Sequence, residues 1–291
     1  MKPPPFEYHD PKTVDEALAL LGRYGGEARL LAGGQSLVPL LNFRLSAPAA
    51  LIDLNRIAEL SYIKEEGGQL RFGAMTRQRQ VEFSPLVASK LPLMIEATQM
   101  VGHLPTRTRG TVGGSIAHAD PSAEYPALVT ALDGELVLRG PSGSRVVKPA
   151  DFFQGFLTTA IAPGEMLVEV RMPVTPAHSG WAFEEFSRRH GDFAIVEIAA
   201  LLATDASGRC TMARVAASGV GGTPLRLRPV EEILEQQGLA EKAIAAAAAR
   251  AAELVDPTSD LHASADYRRH LTRVLTRRAL TRAALQAKGN N

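Results

Sequence analysis

Apolar and polar positions alternate along the first 175 residues in a way that predicts interleaved strands and helices. The segment Thr13–Glu16 reads as a helix-capping box, and apolar positions at helical spacing follow it. Short apolar runs predict strands over 28–32 and 51–54. Two alternating segments, centred on 66–68 and on 141–143, predict hairpins because glycine breaks the pattern there. This part of the chain therefore combines α and β structure.

The pattern changes after a segment rich in turn residues, 173–180. Strand candidates come first and long helices follow, an order typical of an α+β layout. The predicted strands cover 181–188, 195–204 and 210–218, and the predicted helices cover 230–237, 241–254 and 265–286. A second domain is therefore expected beyond about residue 175.

Length and charge narrow the classes of function. A chain of 291 residues is long enough for two domains of ordinary size. Its net charge of +1 argues against a nucleic-acid-binding protein, which normally shows a basic excess. No apolar run approaches the ~20 residues that span a bilayer, and Met1–Pro5 does not resemble a signal peptide. These features predict a cytoplasmic protein without a transmembrane segment.

The single cysteine, Cys210, excludes several kinds of site. An internal disulfide needs two cysteines, and an iron–sulfur cluster needs about four thiolates, so neither is expected within this chain. Cys210 lies in an apolar alternation, which predicts a small buried side chain.

Two glycine-paired turns are the main candidates for chemistry, Ala32–Ser36 and Thr111–Ser115. Glycine lets backbone N–H groups approach a ligand closely, and successive N–H groups form a concavity suited to an anion. A ligand with two linked phosphates would use both turns. The alternative is that each glycine pair serves only a tight turn. Neither segment fits the dinucleotide fingerprint G-x-G-x-x-G or the P-loop.

Polar residues extend the second turn over 116–124, where carboxylates could accept hydrogen bonds from ribose or ribityl hydroxyls. His118 is predicted either to contact a cofactor or to cap the turn, and Asp120 before proline is a natural turn former. Arg107 and Arg109 are predicted to contact a phosphate or a partner, or else to be solvated.

Two further predictions concern the second domain. The apolar rings of Trp181 and Phe183 are expected to pack in its core. The glutamates Glu231, Glu232 and Glu235 are expected to form a solvated helix face.

Three motifs occur in order along the chain: LAGGQSL over Leu31–Leu37, RGTVGGSIAHADP over Arg109–Pro121, and SRRHGDFA over Ser187–Ala194. Together they resemble the FAD-binding medium subunit of the molybdenum hydroxylases, of the carbon monoxide dehydrogenase and xanthine dehydrogenase type. The resemblance runs through essentially the whole chain. It implies an α+β fold in which a two-part FAD-binding domain of the vanillyl-alcohol oxidase (PCMH) type covers 1–175, with subdomains of about 1–56 and 57–175. A small α+β domain, an antiparallel sheet plus helices, then covers 176–291.

The resemblance also implies the residues that hold FAD, and it implies no catalytic side chain and no metal ligand in this chain. Some relatives have a lysine shortly before the position of Arg188 that makes a cationic contact with FAD. This chain has Glu184 and Glu185 there, so it lacks the residue for that contact. The implied FAD-binding residues are Leu30, Leu31, Ala32, Gly33, Gly34, Gln35, Ser36, Leu37, Val101, Thr111, Val112, Gly113, Gly114, Ser115, His118, Glu124, Leu167, Asp192 and Phe193.

The function implied by the resemblance is electron transfer within a heterotrimer. A small subunit with [2Fe-2S] clusters would pass electrons to FAD in this chain, and FAD would pass them to an external acceptor. A large subunit would carry the molybdopterin cofactor and choose the substrate, and the complex is expected to be a dimer of heterotrimers, cytoplasmic or peripheral to the inner membrane. The alternatives are a stand-alone FAD oxidase or reductase of the same fold, and a scaffold in which both turns are only structural.

Overall fold

The structure is a computed structural model that describes residues 2–289. Its first part is a small parallel sheet with helix α1 packed against it. The elements are β1 (Glu7–His9), α1 (Val14–Tyr24), β2 (Ala28–Leu31), α2 (Leu37–Asn42) and β3 (Ala50–Asp53). Strand β3 lies between β1 and β2. The hydroxyl of Thr13 accepts the N–H of Glu16 at 3.2 Å, which caps α1 and confirms where this helix begins.

The second part contains an antiparallel sheet and a group of helices. Its elements are β4 (Ile63–Glu66), β5 (Gln69–Gly73), α3 (Gln78–Glu82), α4 (Pro85–Lys90), α5 (Pro92–Met100), α6 (Leu104–Arg109), α7 (Val112–His118), α8 (Glu124–Ala131), β6 (Glu135–Gly140), β7 (Gly143–Val147), α9 (Pro149–Phe152), β8 (Phe153–Gly155), β9 (Thr158–Thr159) and β10 (Met166–Pro173). Both predicted hairpins form, and β10 inserts between them to give the order β4-β5-β10-β6-β7.

The third part has the predicted order of strands followed by helices. It consists of β11 (Ser179–Phe186), β12 (Val196–Thr204), β13 (Cys210–Ser218), β14 (Leu225–Arg226), α10 (Arg228–Gln237), α11 (Glu241–Leu254) and α12 (Ala265–Gly289). The strands form one antiparallel sheet in chain order. Cys210 is buried in the core between this sheet and the helices, as predicted.

Both faces of this third sheet are covered, one by the helices α10–α12 and the other by the second part of the chain. Side chains alternate between the two faces of a strand, so neighbours on β11 point in opposite directions. Ala182 packs with the helices α10–α12, whereas Phe183 and Trp181 pack into the core of the second part. The prediction that Trp181 and Phe183 belong to the core of the C-terminal domain is therefore wrong. They join the two parts of the chain.

The glutamates of α10 match the predicted solvated face only in part. Glu231 is buried, and its carboxylate accepts the N–H of Val215 at 2.7 Å and pairs with Arg226. One turn later, Glu235 accepts the N–H of Ala213 at 2.9 Å. These carboxylates thus satisfy strand N–H groups that β14 does not reach. Glu232 and Glu235 both lie at exposed positions, as predicted, so the prediction of a solvated face is wrong for Glu231.

Arg107 lies in helix α6. Its guanidinium donates to both carboxylate oxygens of Glu82 at 3.0 and 3.3 Å and to the carbonyl of Val101 at 3.0 Å. Only 12% of its side chain is exposed. Arg107 is therefore a structural ion-pair residue and neither a solvated arginine nor free to contact a phosphate, whereas its contact with a partner stays a prediction.

Candidate functional site

A cleft of about 570 Å³ opens where the three parts of the chain meet. Its volume lies within the usual range for small-molecule and cofactor sites, roughly 300–1,000 Å³. Most of the residues predicted for cofactor binding line it: Leu30, Ala32, Gly33, Gly34, Gln35, Ser36, Leu37, Val101, Thr111, Gly114, Ser115, His118, Glu124, Asp192 and Phe193. The fold thus brings all three sequence motifs to one cavity.

Four of the predicted residues do not line the cleft. Val112 and Gly113 are buried residues of the second turn itself, and Leu167 is buried in the core on β10. Leu31 is the last residue of β2 and lies behind the first turn. These four residues therefore support the walls of the cleft.

The first turn offers unused hydrogen-bond donors to the cleft. Among the hydrogen bonds of residues 2–289, the backbone N–H groups from Gly33 to Ser36 donate to no protein oxygen. Gly34 has φ of +74°, a conformation that glycine adopts without strain, and its carbonyl accepts the N–H of Val38 at 3.0 Å to begin α2. A run of free N–H groups before a helix is a concavity suited to an anion.

The second turn is different, because its N–H groups from Val112 to Ser115 all donate within the protein. Thr111 caps α7, and its hydroxyl accepts the N–H of Gly114 at 3.0 Å while its carbonyl accepts the N–H of Ser115 at 3.1 Å. The N–H of Gly113 donates to the carbonyl of Ala74 at 2.9 Å. The expectation that both turns present free N–H groups is therefore wrong for the second turn. This turn joins two helices rather than a strand and a helix.

The glycines of the second turn allow close packing instead. A Cβ on Gly113 would lie 2.5 Å from the Cβ of Ala74, and one on Gly114 would lie 2.7 Å from Oγ1 of Thr111. In the first turn, a Cβ on Gly33 would lie 2.3 Å from the carbonyl oxygen of Arg109. The two glycine turns and the end of α6 are thus packed against each other at backbone contact distance.

Titratable residues line one side of the cleft. Burial lowers the pKa of His118, which ends α7 and lines the cleft. Asp120 accepts the N–H of Ser122 at 2.9 Å, which confirms its predicted role as a turn former, and it also lines the cleft. Burial, followed by the charge of Glu185, raises the pKa of Glu124 to about 8. At neutral pH this side of the cleft thus carries a largely neutral Glu124 carboxyl.

The third motif reaches the cleft from the C-terminal part of the chain. Gly191 has φ of +88°, and a Cβ there would meet the ring of His103 at 2.4 Å. Asp192 and Phe193 follow it, and Phe193 leaves 61% of its surface exposed at the cleft. An exposed aromatic ring beside a cavity is suited to contact a planar ligand or a partner.

Sequence reasoning missed several residues that line the cleft. Gln78 is the clearest, because it is buried and its side-chain oxygen accepts no hydrogen bond within the described part of the chain. No local motif marks it, since α3 brings it there by tertiary packing. The other missed residues are Arg29, Leu40, Ser46, Gly102, Thr106, Gly110, Ala117, Ala123, Leu157 and Gly191.

Comparison with protein families gives two matches that together cover nearly the whole chain. Residues 4–175 match the FAD binding domain in molybdopterin dehydrogenase, and residues 181–283 match the CO dehydrogenase flavoprotein C-terminal domain. The chain belongs to this family. The resemblance inferred from the three motifs is confirmed, and so are the α+β fold, the FAD cofactor and the assignment to oxidoreductase subunits.

Individual relatives match along their whole length. The chain is 41% identical over 288 residues to 6-hydroxypseudooxynicotine dehydrogenase complex subunit alpha of Paenarthrobacter nicotinovorans, covering 99% of this chain and 97% of that protein. It is 40% identical over 283 residues to the carbon monoxide dehydrogenase medium chain of Hydrogenophaga pseudoflava, covering 97% and 98%.

A solved structure shares the fold. The carbon monoxide dehydrogenase of Hydrogenophaga pseudoflava, in a form lacking the Mo-pyranopterin moiety of the molybdenum cofactor, superposes with a TM-score of 0.96 at 41% identity. The match covers 98% of this chain and 99% of that one. Between residues 2 and 289, no helix combines the length and the apolar character that a membrane span requires.

The cleft fits FAD on its own features. Four successive free N–H groups, Gly33 to Ser36, provide donors for a diphosphate, and the walls combine apolar and polar side chains. The absence of a β-carbon at Gly33 lets the turn close against Arg109 and keeps these donors at the cleft.

Proposed function

We propose that this chain is the FAD-binding electron-transfer subunit of a heterotrimeric molybdenum hydroxylase. The observation that carries the proposal is a run of N–H groups, Gly33–Ser36, that have no partner within residues 2–289. These residues line the cleft of a chain that belongs to an FAD-binding family. When bound, FAD would supply the redox chemistry for electron transfer between [2Fe-2S] clusters of a partner and an external acceptor.

The residues of the chain bind and orient the cofactor. The N–H groups of Gly33–Ser36 would hold the diphosphate, and the N-terminal turn of α7, with Thr111 and Ser115, would form the neighbouring wall. His118 at the C-terminal end of α7 and Glu124 at the start of α8 would contact the cofactor, and Asp192 and Phe193 would cover it from the C-terminal part. No side chain of this chain is assigned a catalytic role.

The composition supports a division of labour between subunits. A single cysteine, Cys210, is buried and cannot ligate a [2Fe-2S] cluster, which needs about four thiolate ligands. We therefore assign the clusters to a small subunit and the molybdopterin cofactor to a large subunit, in a dimer of heterotrimers. The names of the relatives, a complex subunit and a medium chain, support a multi-subunit assembly.

Two further proposals concern organisation. The chain divides near residue 175 into an FAD-binding domain over 1–175, with subdomains of about 1–56 and 57–175, and a C-terminal domain over 176–291; the matched ranges 4–175 and 181–283 support this division. A cytoplasmic location, with the complex free or at the inner membrane surface, is also proposed.

The substrate belongs to the complex and not to this chain. Two relatives of nearly equal similarity, 41% and 40% identical, are named for 6-hydroxypseudooxynicotine and for carbon monoxide. Similar FAD-binding chains therefore occur with different substrates.

The test is FAD binding by the purified chain, measured by flavin absorbance after desalting and by titration. Gly34→Ala places a methyl group in the first turn, at a residue with φ of +74° and beside the side chain of Val38. Gly67→Ala places one at a residue with φ of +63° in a remote hairpin, with open space around it. Both changes impose a similar backbone cost of about 1–2 kcal/mol. We expect Gly34→Ala to weaken FAD binding by at least ~10-fold and Gly67→Ala to leave it unchanged.

Other outcomes would point to the alternatives. A wild-type chain that stays colourless with added FAD would favour a purely structural scaffold. Steady flavin turnover by the chain alone with a small-molecule substrate would favour a stand-alone oxidase or reductase.

A further inference from the structure

Three glutamates from three elements meet behind one wall of the FAD cleft. Glu185 on β11 lies directly opposite Glu197 on β12, and Ser218 on β13 lies opposite Glu197 on its other side. These residues share the sheet face that carries Phe183 and Ala199 into the core of the FAD-binding part. Helix α8 packs on β12 and β13 at this face, and its first residue is Glu124.

Several oxygens of this cluster are buried without a hydrogen-bond partner among the described residues. Glu197 has no exposed surface, and within residues 2–289 neither of its carboxylate oxygens has a hydrogen-bond partner at normal distance. The same holds for the hydroxyl of Ser218 and for one carboxylate oxygen of Glu185. Ser218 lies close enough to lower the pKa of Glu197, but burial outweighs this effect. Such an arrangement is costly for an ionised carboxylate, because a buried charge needs a partner. Like charges directly opposite on neighbouring strands add a further penalty.

Among residues 2–289, no unpaired cation acts on the three carboxyls. Arg107 acts on Glu124, but its guanidinium is already committed to both oxygens of Glu82 and to a backbone carbonyl. The remaining charged neighbours, Asp120 and Glu185, are acidic and disfavour ionisation of Glu124. The group that neutralises the carboxyls is therefore the proton.

The pKa values agree with this geometry. Burial is the largest cause of the raised pKa of each residue, to about 8 for Glu124, to about 7 for Glu185, and well above the usual range for Glu197. Interacting carboxyls lose their protons in steps that belong to the group as a whole. At neutral pH the cluster accordingly retains protons.

Only Glu124 of the three lines the cleft. We propose that Glu124 meets the bound cofactor as a protonated carboxyl that donates a hydrogen bond, and that Glu185 and Glu197 behind it are positioning residues that keep it neutral. This inference rests on the proposed FAD site. It reverses the expectation that carboxylates here only accept hydrogen bonds, because a protonated carboxyl is a donor as well. It also removes a negative charge from a wall that faces an anionic diphosphate cofactor.

The first measurement concerns the flavin-free chain. Infrared spectroscopy detects the C=O stretch of protonated carboxyl groups, and we expect this band at neutral pH, with a loss of intensity as the pH rises through about 8. Glu197→Gln and Glu124→Gln should each remove part of the band, whereas Glu232→Gln, at an exposed position of α10, should leave it intact. Absence of the band from the wild type at neutral pH would overturn the proposal without reference to flavin.

The second measurement is the dissociation constant of FAD between about pH 6 and about pH 9, followed by quenching of flavin fluorescence. If binding requires the proton on Glu124, the dissociation constant should rise by ~10-fold per pH unit above the pKa of that carboxyl. Glu124→Gln, a neutral isostere that keeps a donor, should bind FAD with little dependence on pH. Its profile also corrects for any titration of the flavin itself.

A second variant tests the role of the residues behind Glu124. Glu185→Gln removes the like charge that raises the pKa of Glu124, so the loss of FAD affinity should begin at lower pH than in the wild type. An unchanged midpoint would contradict the positioning role. Wild-type binding that is equal at all pH values would overturn this inference alone, whereas no binding at any pH would overturn the FAD site as well.

Discussion

The two glycine-paired turns look alike in sequence and differ in what their backbones do. In the first turn, the N–H groups of Gly33–Ser36 donate to no oxygen within residues 2–289 and face the cleft. In the second turn, the N–H groups of Val112, Gly113, Gly114 and Ser115 all donate within the protein. The first turn leaves its donors without protein partners beside the cleft, and the second uses its donors within the protein.

The difference shows what a glycine pair encodes. A missing β-carbon permits close approach to the backbone, but it does not specify what approaches. At Gly113 the neighbour is Ala74, and at Gly33 it is the carbonyl of Arg109 on one side and the cleft on the other. Changes in the first turn should therefore alter mainly FAD binding, and changes in the second should alter mainly stability.

The largest expected effect is that of Gly33→Ala. The new Cβ would lie 2.3 Å from the carbonyl oxygen of Arg109, so the turn must move away and its N–H groups lose their common direction. We expect FAD affinity to fall by roughly 100-fold, which corresponds to about 2.7 kcal/mol. Titration of the flavin-free chain measures this loss. Gly26→Ala, which has open space around the new Cβ, is the matched control. Equal FAD affinities for the two variants would contradict the distinction drawn between the two turns.

Gly113→Ala should act mainly on folding. Its Cβ would lie 2.5 Å from the Cβ of Ala74, and α7 must shift to relieve the contact. Overpacking of this kind costs about 1–3 kcal/mol of unfolding free energy. Urea denaturation of the flavin-free chain measures it, with Gly22→Ala in α1 as a control that should be neutral or stabilising. A variant as stable as the wild type that fails to bind FAD would show that the second turn contacts the ligand directly.

A pair of hydroxyl variants gives the smallest contrast. Thr111→Ala removes the oxygen that caps α7 and should cost about 1 kcal/mol of stability, and Thr111→Ser should restore it. Ser36→Ala removes a hydroxyl that lines the cleft and makes no hydrogen bond within the described chain, so stability should stay unchanged while FAD binding weakens a few-fold. Thermal unfolding and flavin titration of both variants measure these effects. A loss of stability in Ser36→Ala together with a loss of FAD affinity alone in Thr111→Ala would contradict the contrast.

Much of the fold follows from local sequence signals. The capped start of α1, both hairpins and the order of strands and helices after residue 180 all depend on neighbours in the chain, so patterning predicts them. The predictions that were wrong concern residues whose partners lie far away in sequence. Phe183 lies on the second face of the C-terminal sheet and packs into the core of the FAD-binding part. Glu231 accepts a backbone N–H at the edge of β13.

The same distinction applies to the site. The three motifs were visible in the sequence, and most of their residues line the cleft, although their individual contacts with FAD remain a prediction. Gln78 carries no local signal and reaches the cleft only because α3 packs beside α6. The buried glutamates were equally hidden, since Glu124, Glu185 and Glu197 become neighbours only when β11 and β12 pair and α8 covers them.

Sequence by itself determined the family, the order of elements and the positions where the backbone must come close to something. These properties depend on residue type and spacing, which the chain carries locally. Only the tertiary structure decided which glycine turn keeps its donors for a ligand and which carboxyls lose their charge. Both depend on what surrounds a group after folding, because hydrogen-bond partners and the cost of burying a charge are set by distant parts of the chain.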